Sequence, residues 1–352
     1  MSLPTTPIDI ARRFDTGSPL HSVAPMGEGL INDSYRVECQ EHRYLLQRIN
    51  THVFSEPEKV MQNIARVTGH LAAKAQQTWG GDWQRHVLTI TPGLDGDIIQ
   101  QDEAGNYWRM YHFIENSTTI QSVTDPSSAY SAAQAFGRFV QELSDLPEPP
   151  LHETIIDFHN TPARLDQLET AIERQACNCP TEADKTIERL LSHRNLAPIL
   201  NTAGLPLRTV HNDTKINNIL FDSDTAAALC VVDLDTVMPG LALHDFADLV
   251  RSASMVTNAG KPLTNLQIYE ALLKGWINGV GDMLSREERS LLWIAPQVIT
   301  LELAMRFLTD HLEGNHYFKV NQPGQNLERT IEQLDLLESM QSHERTMKKL
   351  SI

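Results

Sequence analysis

The chain has 352 residues, of which 41% are hydrophobic, with a formal charge of −16 and a pI near 5.3. That length exceeds the usual size of one compact domain, so two lobes are expected, and the acidic balance argues against a nucleic-acid binder, which tracks phosphates with a basic face. No apolar run approaches the roughly 20 residues of a membrane span and the N-terminus lacks a basic-then-apolar signal pattern, so the expected setting is the cytoplasm, without a membrane partner. Cys39, Cys177, Cys179 and Cys230 are too few and too scattered for a disulfide framework. Cys177-Asn178-Cys179 has no second ligand pair to make a zinc site, and Cys230 reads as a small buried hydrophobe.

In chain order, Gly27-Glu28-Gly29-Leu30-Ile31-Asn32 comes first, a turn in which Gly27 and Gly29 give the backbone freedom to approach a phosphate; a tight hairpin is the commoner use of Gly-x-Gly. Residues 34–38 and 44–49 have strand composition around a polar stretch at 39–43, the pattern of a hairpin. Pro57 opens a helical pattern with Val60, Ile64, Val67 and Leu71 on one face, the single helix of a small lobe. Residues 86–91 and 107–114 read as further strands. From Ser128 the pattern turns helical, with Ala132, Phe136, Phe139, Val140 and Leu143 on one stripe. Ile114-Glu115-Asn116-Ser117 therefore reads as a linker between a β-rich lobe, residues 1–115, and a helical lobe, residues 116–352. Extended backbone at such a junction suits a purine edge, and clefts between domains are favoured ligand sites. The larger lobe is expected to hold a β-rich insertion at 209–210, 217–221 and 228–234, then helices at 266–276, 286–309 and 329–350. The expected fold class is α+β with two lobes: a small antiparallel-sheet N-lobe with one helix, and a larger, mostly helical C-lobe.

The insertion carries the most informative run: His211-Asn212-Asp213-Thr214-Lys215-Ile216-Asn217-Asn218, followed by Val231-Val232-Asp233-Leu234-Asp235. Two carboxylates and a carboxamide in this order are the set that magnesium-dependent phosphoryl transfer from a nucleotide requires. Asp213 is the candidate base that orients an attacking hydroxyl, while Asn218 and Asp233 are candidate metal ligands. Lys215 is placed to neutralise charge developing on the transferred group, with a solvated loop lysine as the competing account. His211 reads as a loop support. Asp-x-x-x-x-Asn alone is unspecific because both residues favour turns. The joint pattern, extended by Pro239-Gly240 and Asp245-Phe246-Ala247, rarely arises without function.

On these residues the chain resembles the aminoglycoside phosphotransferase and choline kinase superfamily, and within it is similar to the N-acetylhexosamine 1-kinase family. Further stretches carry the resemblance: Leu46-Gln47-Arg48-Ile49-Asn50, the run from Trp108 to Glu115, Phe158-His159-Asn160-Thr161-Pro162, and the run from Met305 to Phe318. The resemblance implies a bilobal, protein-kinase-like fold that transfers the ATP γ-phosphate to the anomeric hydroxyl of N-acetylglucosamine or N-acetylgalactosamine. It implies Asp213 as base, Asn218 and Asp233 as Mg2+ ligands, and Ile114, Glu115 and Asn116 as the adenine-binding hinge. Arg306 and Tyr317 match positions that contact the sugar, which suits a planar fork of donors and a phenol; pairing of Arg306 with Glu302 or Asp310 along a helix competes.

Two departures stand out. Gln47-Arg48 occupies the stretch where kinase-like folds carry a phosphate-holding lysine; Arg48 is the candidate replacement, although strand alternation leaves open which of the two faces the cleft. Leu30 stands where the hexosamine kinases have His, and acceptor choice differs here if that His contacts the sugar. Kinases for other small alcohols (choline, homoserine, an aminoglycoside) remain alternatives, as does an inactive nucleotide-binding regulator. A choline acceptor would call for an aromatic cage, against which a 6% aromatic content weighs mildly.

Overall fold

The computed structural model describes residues 6–27, 31–175, 183–258 and 261–351. The chain forms two compact units: Met1–Thr118 with Asp145–Ile156 and Leu220–Met238, and Thr119–Ser144 with Asp157–Ile219 and Pro239–Ile352. Cys177 and Cys179 lie outside the described residues, whereas Cys39 and Cys230 are buried free thiols. Burial raises the Cys230 thiol to about 12, as suits an inert apolar side chain.

The first unit is built on a six-stranded antiparallel sheet. Its strands are β1 (Leu20–Pro25), β2 (Asp33–Cys39), β3 (Arg43–Ile49), β4 (Ile90–Thr91), β5 (Gln100–Gln101) and β6 (Tyr107–His112), in the order β1-β2-β3-β6-β4 with β5 also on β6. Alternation gives each strand two characters. Tyr44, Leu46, Trp108 and Met110 share one face and pack on Ile10, Ala11 and Phe14, which come from α1 (Pro7–Ala11) and the residues just after it. Each such buried large side chain contributes about 1.5–3 kcal/mol. Gln47 opposes Arg109 and Leu45 opposes Tyr111, so these four belong to the other face.

Among its described residues the first unit carries two α-helices where one is expected. Helix α1 has five residues, too few for a periodic signal, and is held by the reciprocal cap between Thr6 and Asp9. The long helix, α2 (Pro57–Trp79), buries Val60, Ile64, Val67 and Leu71 as their spacing requires. Its buried Asn63 donates to the carbonyls of His152 (2.8 Å) and Val237 (3.1 Å) and accepts the His152 N–H (2.9 Å). One amide thereby ties both later segments of this unit to the helix. Those segments include β10 (Ala228–Val231), which joins β9 (Ile219–Asp222) and β7 (Ser117–Thr118) in a second sheet. The strand expected at 86–91 shrinks to β4, because a 3-10 stretch fills Gly80–Arg85 and Trp79 stacks on His86.

The second unit is helical: α3 (Pro126–Glu142), α4 (Thr161–Gln175), α5 (Ala183–Leu191), α6 (Ile199–Thr202), α7 (Ala242–Ala253), α8 (Leu266–Val280), α9 (Arg286–Leu291), α10 (Ala295–Glu313), α11 (Gln325–Ser342) and α12 (Glu344–Ser351). Helices α3 and α8 approach closely at glycines; a Cβ on Gly275 would lie 2.2 Å from the Tyr130 carbonyl oxygen. Helix α10 is central, with Leu301, Ala304, Met305 and Leu308 packed on Leu168, Leu190, Leu334 and Leu337. The single helix expected at 286–309 is two, because Pro296 stands in the first turn of α10 and has no N–H with which to continue α9. The helix expected at 329–350 likewise starts earlier, after Gly324, and breaks at His343. Helix α7 had no amphipathic stripe to reveal it, since every residue but Ser252 is buried. Among the described residues no helix is long and apolar enough to cross a membrane.

Candidate active site

Asp213 lies on a loop whose backbone is held at several points. The loop leaves β8 (Arg208–Val210), which pairs with β11 (Met238–Gly240), and ends in a single 3-10 turn at Ile216–Asn218. Gly240 permits the close approach: a Cβ there would meet Val210 Cγ2 at 2.6 Å and Asn212 Oδ1 at 2.7 Å. Asp245, fully buried on α7, accepts the N–H groups of His211 (2.8 Å) and Asn212 (2.7 Å), while its own carbonyl accepts the Thr214 hydroxyl (2.5 Å). His211 is buried against Phe136 and Phe139, and its Nδ1 accepts the Asp213 N–H at 3.3 Å. It supports the loop.

The Asp213 side chain is then set by its neighbours. Lys215 Nζ reaches its two oxygens at 2.7 and 2.9 Å, and Asn218 Nδ2 donates to its carbonyl (2.8 Å) and to Oδ2 (3.1 Å). Burial favours the neutral acid, but the Lys215 charge and hydrogen bond, helped by Arg251, hold the group below the ordinary carboxylate value. Asp213 is therefore an ionised acceptor aimed by fixed donors. Because Asn218 turns its amide nitrogen to Asp213, its carbonyl oxygen is the atom that remains to meet a cation. That oxygen is of the hard donor type that fits magnesium.

Asp233 belongs to the first unit, where it is an exposed residue in the left-handed region (φ +62°) just after β10. Two residues on, Asp235 is buried and anchors the turn. It pairs with the Arg109 guanidinium, both side chains nearly inaccessible (3% and 1%), and accepts Asn32 Nδ2 at 2.6 Å. Burial disfavours the Arg109 charge, yet Asp235 beside it raises the pKa above the usual arginine value. Arg109 Nε donates to Gln47 Oε1 at 3.0 Å. Arg48 lies apart from this pair. Alternation sends Arg48 to the other face, where it pairs with Asp33 (Nε to Oδ2, 3.0 Å) and lies over Trp108. The cation that meets the carboxylate-bearing turn is Arg109.

In the linker, the carbonyl of buried Ile114 accepts the Ser117 hydroxyl (2.6 Å), that of Glu115 accepts Arg85 (3.3 Å), and that of Asn116 accepts the Ser223 N–H (2.9 Å). The carbonyls of Ile114 and Glu115 each keep one lone pair for a further donor, whereas that of Asn116 also accepts Arg85 (3.4 Å). The Glu115 carboxylate is taken by Arg43 (Nε to Oε1, 2.8 Å), so only its backbone is left to meet a ligand. Gly27 has φ +76°, a turn conformation that favours glycine, and Gly29 lies outside the described residues.

Arg306 and Tyr317 are brought together, Nη2 to the phenol oxygen at 3.3 Å, with the guanidinium over the rings of Phe158 (5.2 Å), Tyr317 (5.5 Å) and Phe318 (5.6 Å). Both competing partners hydrogen-bond elsewhere, although the Arg306 charge still acts on Glu302. Asp310 accepts the N–H groups of His316, Tyr317 and Phe318 and the Asn326 amide, shaping the turn after α10. Glu302 is taken by His159 and Thr161, each at 2.7 Å.

Arg109, Asp235, Asp245, His159 and Glu302 were not assigned roles from the sequence. Two left a signal: Arg109 interrupts an apolar strand and Glu302 an apolar helix, positions where an ionised side chain must have a partner.

Solved structures share this fold. A spectinomycin phosphotransferase, in complex with ADP and spectinomycin, superposes with a TM-score of 0.61 at 11% identity, covering 94% of this chain and 95% of that one. A choline/ethanolamine kinase family protein from Mesorhizobium loti gives 0.58 at 17% identity, covering 97% and 99%. A microcompartment-associated aminopropanol kinase gives 0.57 at 15%, covering 96% and 98%. The family model described as "Phosphotransferase enzyme family" matches residues 22–278, nearly three quarters of the sequence, and the chain belongs to that family.

Proposed function

We propose that the protein transfers the γ-phosphoryl group of ATP to the anomeric hydroxyl of N-acetylglucosamine or N-acetylgalactosamine, giving ADP and the sugar 1-phosphate. The sugar oxygen forms the new bond to phosphorus as the bond to the bridging oxygen of ADP breaks. Asp213 orients the hydroxyl and receives its proton as the bond forms; an ionised, low-pKa carboxylate suits a transfer governed by positioning and charge. Lys215 adds positive charge beside the reacting oxygens. Asn218 Oδ1 and Asp233 would hold magnesium, which when bound supplies charge neutralisation on the phosphates. The backbone around Gly27 and Gly29 serves the phosphates, Ile114, Glu115 and Asn116 the adenine, and Arg306 with Tyr317 the sugar.

The observation that carries the phosphotransferase reading is the fixed triad of Lys215, Asp213 and Asn218 in a member of a phosphotransferase family. Binding of ADP by the spectinomycin phosphotransferase supports the choice of nucleotide. For the acceptor, the Arg306 cluster supports a neutral sugar over a quaternary amine. Its aromatic faces already hold a guanidinium in the place an ammonium ion would take. The test is Mg-ATP with a panel of free amino sugars, choline, ethanolamine, aminopropanol and spectinomycin, followed by ADP release and acid lability of the product. ADP release with an N-acetylhexosamine and a phosphate lost in mild acid are expected. Turnover confined to the amino alcohols would overturn the acceptor, and ATP binding without ADP release across the panel would overturn the kinase.

A further inference from the structure

Glu302 is nearly inaccessible (1%) in the middle of α10, and its bonds lead toward Asp213. Its Oε1 lies 2.7 Å from His159 Nδ1, and Oε2 accepts the Thr161 hydroxyl at 2.7 Å. On the other side of the ring, His159 Nε2 lies 3.0 Å from the carbonyl oxygen of Asn212, the residue before Asp213. Neither a carboxylate nor a carbonyl has a proton to give, so both ring nitrogens must carry one, and His159 is an imidazolium.

The surroundings agree. Burial works against the His159 charge, but the Glu302 carboxylate and hydrogen bond, then Asn212 and Asp248, raise its pKa. Burial likewise opposes ionisation of Glu302, yet His159 and Arg306 bring it down to about 2. From α7, His244 presents its ring 4.8 Å from that of His159, and burial and the neighbouring charge push it down to about 3, so it stays neutral. Asp245, on the same helix, also lies within reach of the His159 charge.

Asn212 is held on both sides. It lies in the left-handed region (φ +63°), which Asn adopts more readily than other non-glycine residues. Asp245 holds its N–H and His159 its carbonyl. We propose that His159, charged by Glu302, is a positioning residue: its imidazolium fixes the Asn212 peptide and so aims Asp213. Turnover then depends on the charge of a side chain that does not touch substrate. The link to turnover rests on the phosphotransferase reading given above.

The experiment joins three measurements on the full chain: nitrogen-detected NMR titration of the His159 ring, amide exchange at residues 211–215, and the pH dependence of kcat, for wild type, Glu302→Gln and Glu302→Asp. A raised pKa means the tether is complete below the ordinary histidine pKa of about 6.5 and is lost as pH climbs through the higher folded value. In the wild type, both ring nitrogens should be protonated at neutral pH, with loop exchange rising and kcat falling as His159 loses its proton. Glu302→Gln keeps the shape and an acceptor but removes the charge, so all three transitions should move down by about one pH unit or more, with the KM for ATP little changed. Glu302→Asp, which keeps the charge, should leave them near the wild-type position. A single protonated ring nitrogen at neutral pH, or transitions that coincide in wild type and Glu302→Gln, would overturn the proposal. Should Glu302→Gln not fold, the wild-type and Glu302→Asp titrations decide. Should no acceptor be turned over, the kinase reading fails by itself, and loop exchange tracking the His159 titration still decides the tether.

Discussion

Asp213 and Asp233 are both carboxylates at the end of a β-strand and a turn, and the molecule holds them in different ways. The Asp213 loop is fixed by many hydrogen bonds of modest size: two backbone amides on Asp245, a carbonyl on His159, and Lys215 and Asn218 on the side chain itself. The Asp233 turn centres on a buried ion pair, Arg109 with Asp235, joined by Asn32 on the carboxylate, Thr154 on the Asp235 carbonyl and Asn63 on that of Val237. A loop of the first kind loses order in steps as contacts are removed. A turn of the second kind fails at once, because removing one partner leaves a charge in the core.

The largest effect should fall on chemistry. Asp213→Asn keeps the size of the side chain but removes the charge proposed to orient the acceptor, and kcat should drop by about two to four decades, or about 3–5 kcal/mol in barrier. Stability measured by urea unfolding should change little. Turnover within tenfold of wild type would show that the loop is a scaffold and the chemistry lies elsewhere.

Almost as large, but on stability, is the effect expected at the other turn. Arg109→Met leaves Asp235 buried and unpaired and should cost about 3–5 kcal/mol, while the double variant Arg109→Met with Asp235→Leu should recover most of it. Chemical denaturation of the three proteins measures the difference. A single variant that loses less than about 1 kcal/mol would mean that water or Asn32 satisfies Asp235, and the contrast between the two regions would collapse.

How much of this was legible in the sequence follows the same division. The Asp213 loop could be singled out because its residues are adjacent in the chain and of types that act together, and Arg306 with Tyr317 were singled out through the resemblance. The props were not readable. Asp245 lies 32 residues beyond Asp213, His159 54 residues before it, and Glu302 acts from a helix near the other end of the chain. Each meets the loop only through the fold. The choice between Gln47 and Arg48 was open for a simpler reason: two adjacent strand residues point opposite ways, and composition alone does not tell which faces inward. In the same manner, the long helices and the β2–β3 hairpin showed their period, whereas five-residue α1 and all-round buried α7 had none to show.

A smaller effect, with a definite pH window, separates the two modes of holding further. Glu302 is held near 2 against an ordinary 4.5, so its contribution to stability is complete above about pH 4.5 and is lost as pH falls toward 2. Glu302→Gln should therefore be less stable than wild type by roughly 2–3 kcal/mol at pH 5, with the gap closing by about pH 2.5. Urea unfolding of both proteins at the two pH values tests it. A constant gap would mean that shape, not charge, is what α10 supplies.

The smallest effect belongs to Tyr317, whose phenol meets Arg306 at 3.3 Å while the residue is 48% exposed. An exposed hydrogen bond of that length contributes little to folding, so Tyr317→Phe should shift stability by less than about 0.5 kcal/mol. Its ring still covers the guanidinium, so the cation–π contact survives and only the hydroxyl is lost. If that hydroxyl and Arg306 address the acceptor together, the acceptor KM should rise roughly two- to fivefold, the measure of one neutral hydrogen bond, with kcat and the KM for ATP unchanged. Steady-state kinetics with each substrate varied in turn separates the constants. An equal fall in kcat for every acceptor would instead tie Tyr317 to the loop-holding network through Arg306 and Glu302, making the Arg306 cluster part of the Asp213 support and not a reader of the substrate.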